Sequence, residues 1–230
     1  MSPFAALLNL FVPKVCHLCE CNLVGKEEFI CTQCAAKLPN TGFERYAGMN
    51  PMEERFAGQL PLGRACAPYF YTRDSKLASL VHDFKYHGFS RLATHLGAMG
   101  ANELADSGLF NGIDILLPVP LHWRKEWKRG YNQSEMIARG ISKVTGIPIG
   151  RELKASKAHR TQTSLTSEQR IANTKGIFRI EHPETLKGKH VMLVDDICTT
   201  GATLLSAGET LAASTEHDII ISIFTLGTVS

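Results

Sequence analysis

Two carboxylates, Asp195 and Asp196, stand side by side directly after the apolar run Val191-Met192-Leu193-Val194. The small, hydroxyl-rich stretch Thr199-Thr200-Gly201-Ala202-Thr203 follows them, and then apolar positions at helical spacing, Leu204, Gly208 and Leu211. The turn suits a phosphate. Gly201 lets the backbone come close, the threonine hydroxyls donate, and a following helix aims free N–H groups and its positive dipole end at an anion. The acids suit something else, because carboxylates repel a phosphate but accept hydrogen bonds well from hydroxyls. A sugar phosphate satisfies both, with its phosphate in the turn and its ring hydroxyls on Asp195 and Asp196. A strand end with a capped helix is the plainer alternative, since Asp and Thr are common caps.

Four more residues have spacing that can do chemistry. Cys16-x2-Cys19 and Cys31-x2-Cys34 form two knuckles eleven residues apart. Four thiolates so spaced can close a tetrahedral Zn2+ site, and a short segment with little core needs such a staple. Two disulfides are the alternative, but the sequence gives no sign of export to an oxidising compartment. His17 and Cys21 lie nearby without fitting the paired spacing.

These residues need a scaffold. His190–Val194 reads as a buried strand that delivers the acids to its carboxyl end. Ala67–Thr72 reads as a strand too. Leu77, Leu80, Val81 and Phe84 then mark a helix that stops at Gly88. Lys85, near that stop, could reach a phosphate or complement the dipole of its helix end. Further helices are expected from about Arg91 to Ala105 and through Ile137, Ile141 and Val144. Ile113–Pro120, Gly176–Ile180 and Ile219–Thr225 supply the remaining β-rich runs. Alternating β and α segments with short turns imply an α/β protein with a parallel sheet. Cys66 falls in a strand-like run and reads as a core thiol. Residues 40–63, rich in Gly and Pro, read as a connector or a loosely structured extension of the cysteine module.

The stretch Val191–Thr203 resembles the phosphoribosyl pyrophosphate (PRPP) motif of type I phosphoribosyltransferases, in which the acids hold the ribose hydroxyls and the turn holds the 5′-phosphate. The chain as a whole, cysteine-rich start included, resembles the ComF family of competence-associated proteins. Arg129-Gly130-Tyr131-Asn132-Gln133 matches a signature of that family, and the basic loop from Leu121 resembles the pyrophosphate loop. Residues 158–170 look like the flexible hood of type I enzymes, Arg160 included.

The resemblance implies a type I phosphoribosyltransferase fold, a parallel sheet flanked by helices with a flexible hood, at residues 64–230. A small zinc-ribbon-like module and its connector occupy residues 1–63. It implies PRPP binding by Asp195, Asp196, Thr199, Thr200, Gly201, Ala202, Thr203, Arg124 and Lys85, with Arg129 and Arg160 in the catalytic role. Mg2+ accompanies the PRPP. The implied activity is phosphoribosyl (pentosyl) transfer to an acceptor that no residue here selects. The implied alternative is a non-catalytic, PRPP-sensing factor that handles single-stranded DNA in natural transformation, with a competence-machinery protein as a further partner.

The net charge of +3 is unevenly placed. Residues 122–131 hold Arg124, Lys125, Lys128 and Arg129 against Glu126, and residues 154–175 hold five cations against Glu168, so the remainder of the chain is net −4. The positive field is concentrated where an anion would need it, although solvated basic loops look the same. Trp123 and Trp127 in the first of these loops could stack on bases or pack against the sheet edge. His159 reads as a solvated loop histidine. Cys198 sits where a helix N-terminus could lower its pKa, but it occupies a variable place in the motif and is given no role. A 44% hydrophobic content supports an ordinary core, and no apolar run reaches transmembrane length. Phe4–Phe11 lacks a basic flank and a cleavage site, so a cytoplasmic protein without membrane insertion is expected.

Overall fold

A computed structural model describes residues 14–46, 50–121, 126–127, 129–156 and 176–229. Its centre is a sheet in which every pairing is parallel. Strand β1 (Leu62–Cys66) and the short β2 (Tyr69–Phe70) both pair with β7 (Ile220–Thr228). β7 pairs with β6 (His190–Cys198), and β6 with β3 (Ile115–Pro118), giving the order β1-β7-β6-β3. The two central strands carry the purest apolar runs. Val191–Val194, Ile221, Ile223 and Phe224 have no exposed surface, as a strand covered on both faces requires.

Of the strand expected at Ala67–Thr72 only β2 forms, and β1 ends just before that range at Cys66. Pro68 stands between β1 and β2 and has no N–H to give to a ladder. Pro68 instead offers its carbonyl to the Thr41 N–H (2.9 Å), so the break is also where the cysteine-rich segment is tied to the sheet.

The expected helices are present. α3 (Lys76–Tyr86) is capped by Ser75, whose hydroxyl accepts from the Ala78 N–H, and it ends before Gly88 at φ +76°. α4 (Ser90–Glu103) crosses α5 (Gln133–Thr145) at close range. A Cβ on Gly97 would lie 2.9 Å from Ile137 Cα, and one on Gly140 would lie 2.6 Å from the Ala98 nitrogen. Two facing glycines therefore let the backbones touch, which fixes how far α5 reaches over the sheet. α6 (Ala202–Ser214) follows β6 and packs on it. A separate antiparallel pair, β4 (Leu153–Ala155) and β5 (Phe178–Ile180), flanks residues 157–175.

The stretch expected to be a loose connector is built instead. α1 (Thr32–Ala35) belongs to the second cysteine knuckle, and α2 (Pro51–Phe56) follows it. Asn50, fully buried, opens α2 with a capping box: its side chain accepts from Met52 and Glu53, and Glu53 accepts from the Asn50 N–H. Glu53 then pairs with Arg64 on β1 at 2.6 Å, and Asn50 Nδ2 donates to the Ala65 carbonyl. Composition alone missed this because Pro51 opens α2 rather than interrupting it, and the other glycines and prolines of the stretch flank it.

Candidate functional site

β6 carries Asp195 and Asp196 to its carboxyl end, where the flanking elements converge on them. Asp195 Oδ1 accepts from the Ser134 hydroxyl (2.8 Å) and from the Asp196 N–H (2.9 Å). Ser134 lies in the first turn of α5. That helix is capped by Asn132, which accepts from the Ser134 N–H and donates to the Val119 carbonyl just beyond β3. A chain of bonds thus runs from one strand end to the next. Asp196 is engaged from the other side, its Oδ2 lying 2.5 Å from Lys85 Nζ in the last turn of α3. Lys85 therefore sits on the second acid rather than at the turn or merely at a helix end. The Tyr131 hydroxyl donates to the Phe84 carbonyl, which ties α3 to the start of α5.

Burial, and after it the like charge of Asp196, pushes the Asp195 carboxyl up to about 7; the Ser134 and Asp196 hydrogen bonds and Lys85 only partly oppose this. Cys198, to which the sequence assigns no role, is buried, and burial raises its pKa with Arg55 acting the other way.

The turn after β6 keeps its polar groups open. Thr199, Thr200 and Thr203 are exposed and Ala202 is half-buried. Gly201 is the N-cap of α6 at φ +79°, a conformation that favours glycine, and α6 has no side-chain cap. Thr200 Oγ1 accepts from the Ala202 N–H, at 3.3 Å.

Arg129 donates to Gln133 (3.0 Å) of α5 and lies 5.4 Å over the ring of Tyr86, the last residue of α3. Trp127 is 87% exposed, so packing against the sheet edge does not describe it. Arg124, Arg160, Trp123 and His159 lie outside the described residues.

At the other end of the chain, the ligand atoms of Cys16, Cys19, Cys31 and Cys34 all lie within 4.8 Å of one another. All seven cysteines are free thiols. Zinc–sulfur bonds of about 2.3 Å in a tetrahedron place sulfurs about 3.8 Å apart, and the Cys19 and Cys31 sulfurs are 3.7 Å apart. Cys16 Sγ also accepts from the Leu18 and Cys31 N–H groups, at 3.5 and 3.4 Å, bonds that favour a thiolate. The cluster can hold a zinc ion. Cys21, outside the group of four, brings its sulfur to 3.2 Å from that of Cys19.

Comparison with known proteins places this arrangement. The phosphoribosyl transferase domain family matches residues 132–225, from the cap of α5 into β7. The DNA utilization protein YhgH of Salmonella typhimurium is 29% identical over 213 residues, covering 88% of this chain and 92% of its own. Competence protein F of Haemophilus influenzae is 34% identical over 133 residues, 56% of this chain and 58% of its own. Competence protein ComFC of Bacillus subtilis is 24% identical over 203 residues, 86% of this chain and 78% of its own. These relatives, together with the phosphoribosyl transferase match, support a ComF-family assignment. Among solved structures, a glutamine PRPP amidotransferase from B. subtilis aligns over 62% of this chain and 30% of its own, at 20% identity and a TM-score of 0.42.

Lys85 thus meets the second β6 acid, the turn follows the acids directly, and Arg129 lies against Tyr86, the residue after Lys85. Sequence reasoning missed Ser134 and Arg55. Ser134 directly follows the Arg129–Gln133 signature and was within reach of it. Arg55 donates to the Thr199 carbonyl at 2.6 Å from a helix more than a hundred residues upstream, and no local pattern marks it. Among the described residues no helix is long and apolar enough to cross a membrane.

Proposed function

We propose that the chain binds PRPP at the carboxyl end of β6 and transfers its ribose phosphate to an acceptor. The observation that carries this reading is the acid pair, held from two sides by Ser134 and Lys85, opening into a turn and helix N-terminus with no side-chain cap. Asp195 Oδ1 has two donors, which leaves Oδ2 for a ribose hydroxyl. The Thr199–Thr203 turn receives the 5′-phosphate through its N–H groups and hydroxyls. In transfer, the bond from the anomeric carbon to pyrophosphate breaks and its electron pair leaves with pyrophosphate. A bond to the acceptor forms and the acceptor's proton departs. Positive charge grows on the ribose, where the two carboxylates stabilise it.

Carboxylate and phosphate oxygens suit Mg2+. Asp195 and Asp196 would hold it together with the ligand's oxygens, and it would supply charge neutralisation for pyrophosphate. Arg129, with Arg124 and Arg160 from the neighbouring basic segments, completes the cationic side in this reading. A four-thiolate zinc site in the N-terminal module fits a cytoplasmic setting, where thiols stay reduced.

Calorimetry with PRPP and Mg2+, followed by 31P NMR with each common base and with ammonia, tests the proposal. Saturable binding and pyrophosphate release with at least one acceptor are expected. Binding without consumption leaves a PRPP sensor, and no binding removes the reading.

A second reading, handling of single-stranded DNA, is favoured by one observation. A cleft of about 500 Å³ opens between the cysteine module and the α4–α5 pair, lined by Phe29, Arg91, His95, Arg139 and Lys143. The Arg91 guanidinium lies 5.9 Å over the Phe29 ring. Cations around an aromatic face make a platform for a strand, and relatives carry the names competence and DNA utilization protein. Oligo-dT affinity should fall with salt at a slope of about −0.7 per phosphate contacted. Arg91→Ala with Lys143→Ala should lower that slope by about two phosphates' worth. An unchanged slope would place any DNA surface elsewhere.

A further inference from the structure

We infer that Arg55, on the short helix ahead of the sheet, supplies the cation of the phosphate subsite, and that its ligand is a phosphomonoester. The inference rests on the PRPP reading, in which this is the sugar's 5-phosphate. Two carboxylates beside a phosphate turn are electrostatically unfavourable for the phosphate unless a cation offsets them. Lys85 does not fill that role, because it is spent on Asp196. Arg55 is placed to do so. Its NH1 donates to the Thr199 carbonyl (2.6 Å) and approaches Cys198 Sγ (3.2 Å), so the guanidinium is fixed at the first residues of the turn. Its stem covers Gly201, where an added Cβ would lie 3.1 Å from Arg55 Cδ and 3.0 Å from Phe56 Cζ.

Arg55 has no carboxylate partner among the described residues, whereas Arg64, Arg139 and Arg179 each have one. Its charge is therefore not cancelled locally. Both of these bonds use NH1, and an arginine offers five N–H groups in a fork matched to phosphate oxygens. The helix that carries it is set in place beforehand by buried Asn50, the Glu53–Arg64 pair and Phe56, which is 1% exposed. The segment ahead of the sheet thus borders the turn at Thr199 and Gly201.

The test compares the full-length wild-type protein with Arg55→Gln and Arg55→Lys, using calorimetry with PRPP, ribose 5-phosphate and inorganic phosphate at two salt concentrations. Glutamine keeps an N–H donor for the Thr199 carbonyl but loses the charge. Arg55→Gln should weaken ribose 5-phosphate and PRPP at least tenfold and flatten their salt dependence, with unchanged melting temperature and zinc content. Arg55→Lys should recover part of both. If wild type binds PRPP and Arg55→Gln binds it equally well, the inference is overturned and the PRPP reading stands. If wild type binds phosphate through Arg55 but not PRPP, the PRPP reading fails and the subsite stands. Binding of none of the three ligands overturns both.

Discussion

Replacing Asp195 and Asp196 together by asparagine should weaken PRPP binding by at least about a hundredfold while the fold and metal content persist. Hydrogen bonds to charged groups are worth about 1.5–3 kcal/mol each, and about 1.4 kcal/mol is a factor of ten. The single change Asp195→Asn has a second signature. Burial and Asp196 hold the Asp195 carboxyl up at about 7, so in the folded protein it is neutral well above the pH at which it ionises in an unfolded chain. The sign follows from this. Below the unfolded value both states are protonated and nothing is lost. As pH rises toward 7 the unfolded state ionises first and stability falls, and above 7 the full cost is present. Asp195→Asn should therefore raise stability most above pH 7, read from urea midpoints across the range. Ligand binding runs the opposite way, because the charged carboxylate is the better acceptor. Wild-type PRPP affinity should climb through pH 7, and the variant should lack that rise. A pH profile shared by both proteins would assign the titration to the ligand's own phosphate.

Stripping zinc from the cysteine cluster should unfold the N-terminal module before the sheet. Structural zinc contributes about 10–16 kcal/mol of apparent folding energy in small domains, and this module's own core is slight. Hydrogen exchange should show residues 14–38 losing protection first on chelation. The loss should then spread to α3 and α4, because the module docks there. His17 Nδ1 lies 3.0 Å from Asp83, and Phe29 packs against His95 and beneath Arg91. One equivalent of zinc per chain is expected. Retained protection in a metal-free Cys16→Ser, Cys34→Ser protein would sink the idea.

What could be read from the sequence was what local pattern encodes. The run from Val191 to Leu211 announced strand, acids, turn and helix because period, charge and glycine fall within one short segment. The cysteine knuckles were legible for the same reason, as were α3 and α5, whose apolar stripes are regular. The site's supports were not. Lys85 on Asp196, Ser134 on Asp195 and Arg55 on Thr199 are contacts between distant segments, and no window of sequence contains both partners. Two local readings also failed for physical reasons. Pro68 broke a run whose composition looked continuous, and Trp127 lies in the open although indoles are usually covered.

The order of the sheet has a consequence for synthesis. β1 and β3 leave the ribosome long before the strands they pair with, since Leu62 faces Ile221 and Ile115 faces Val191. Neither can bond to the other, because β7 and β6 lie between them. Until those central strands emerge, the nascent chain holds two unpaired strand edges and an open hydrophobic face, a state prone to wrong pairing and chaperone capture. The cysteine knuckles need no such wait. A metal ion could close them within a few dozen residues of the start, and Phe29 and His17 would then offer α3 and α4 an ordered surface to settle on as they appear.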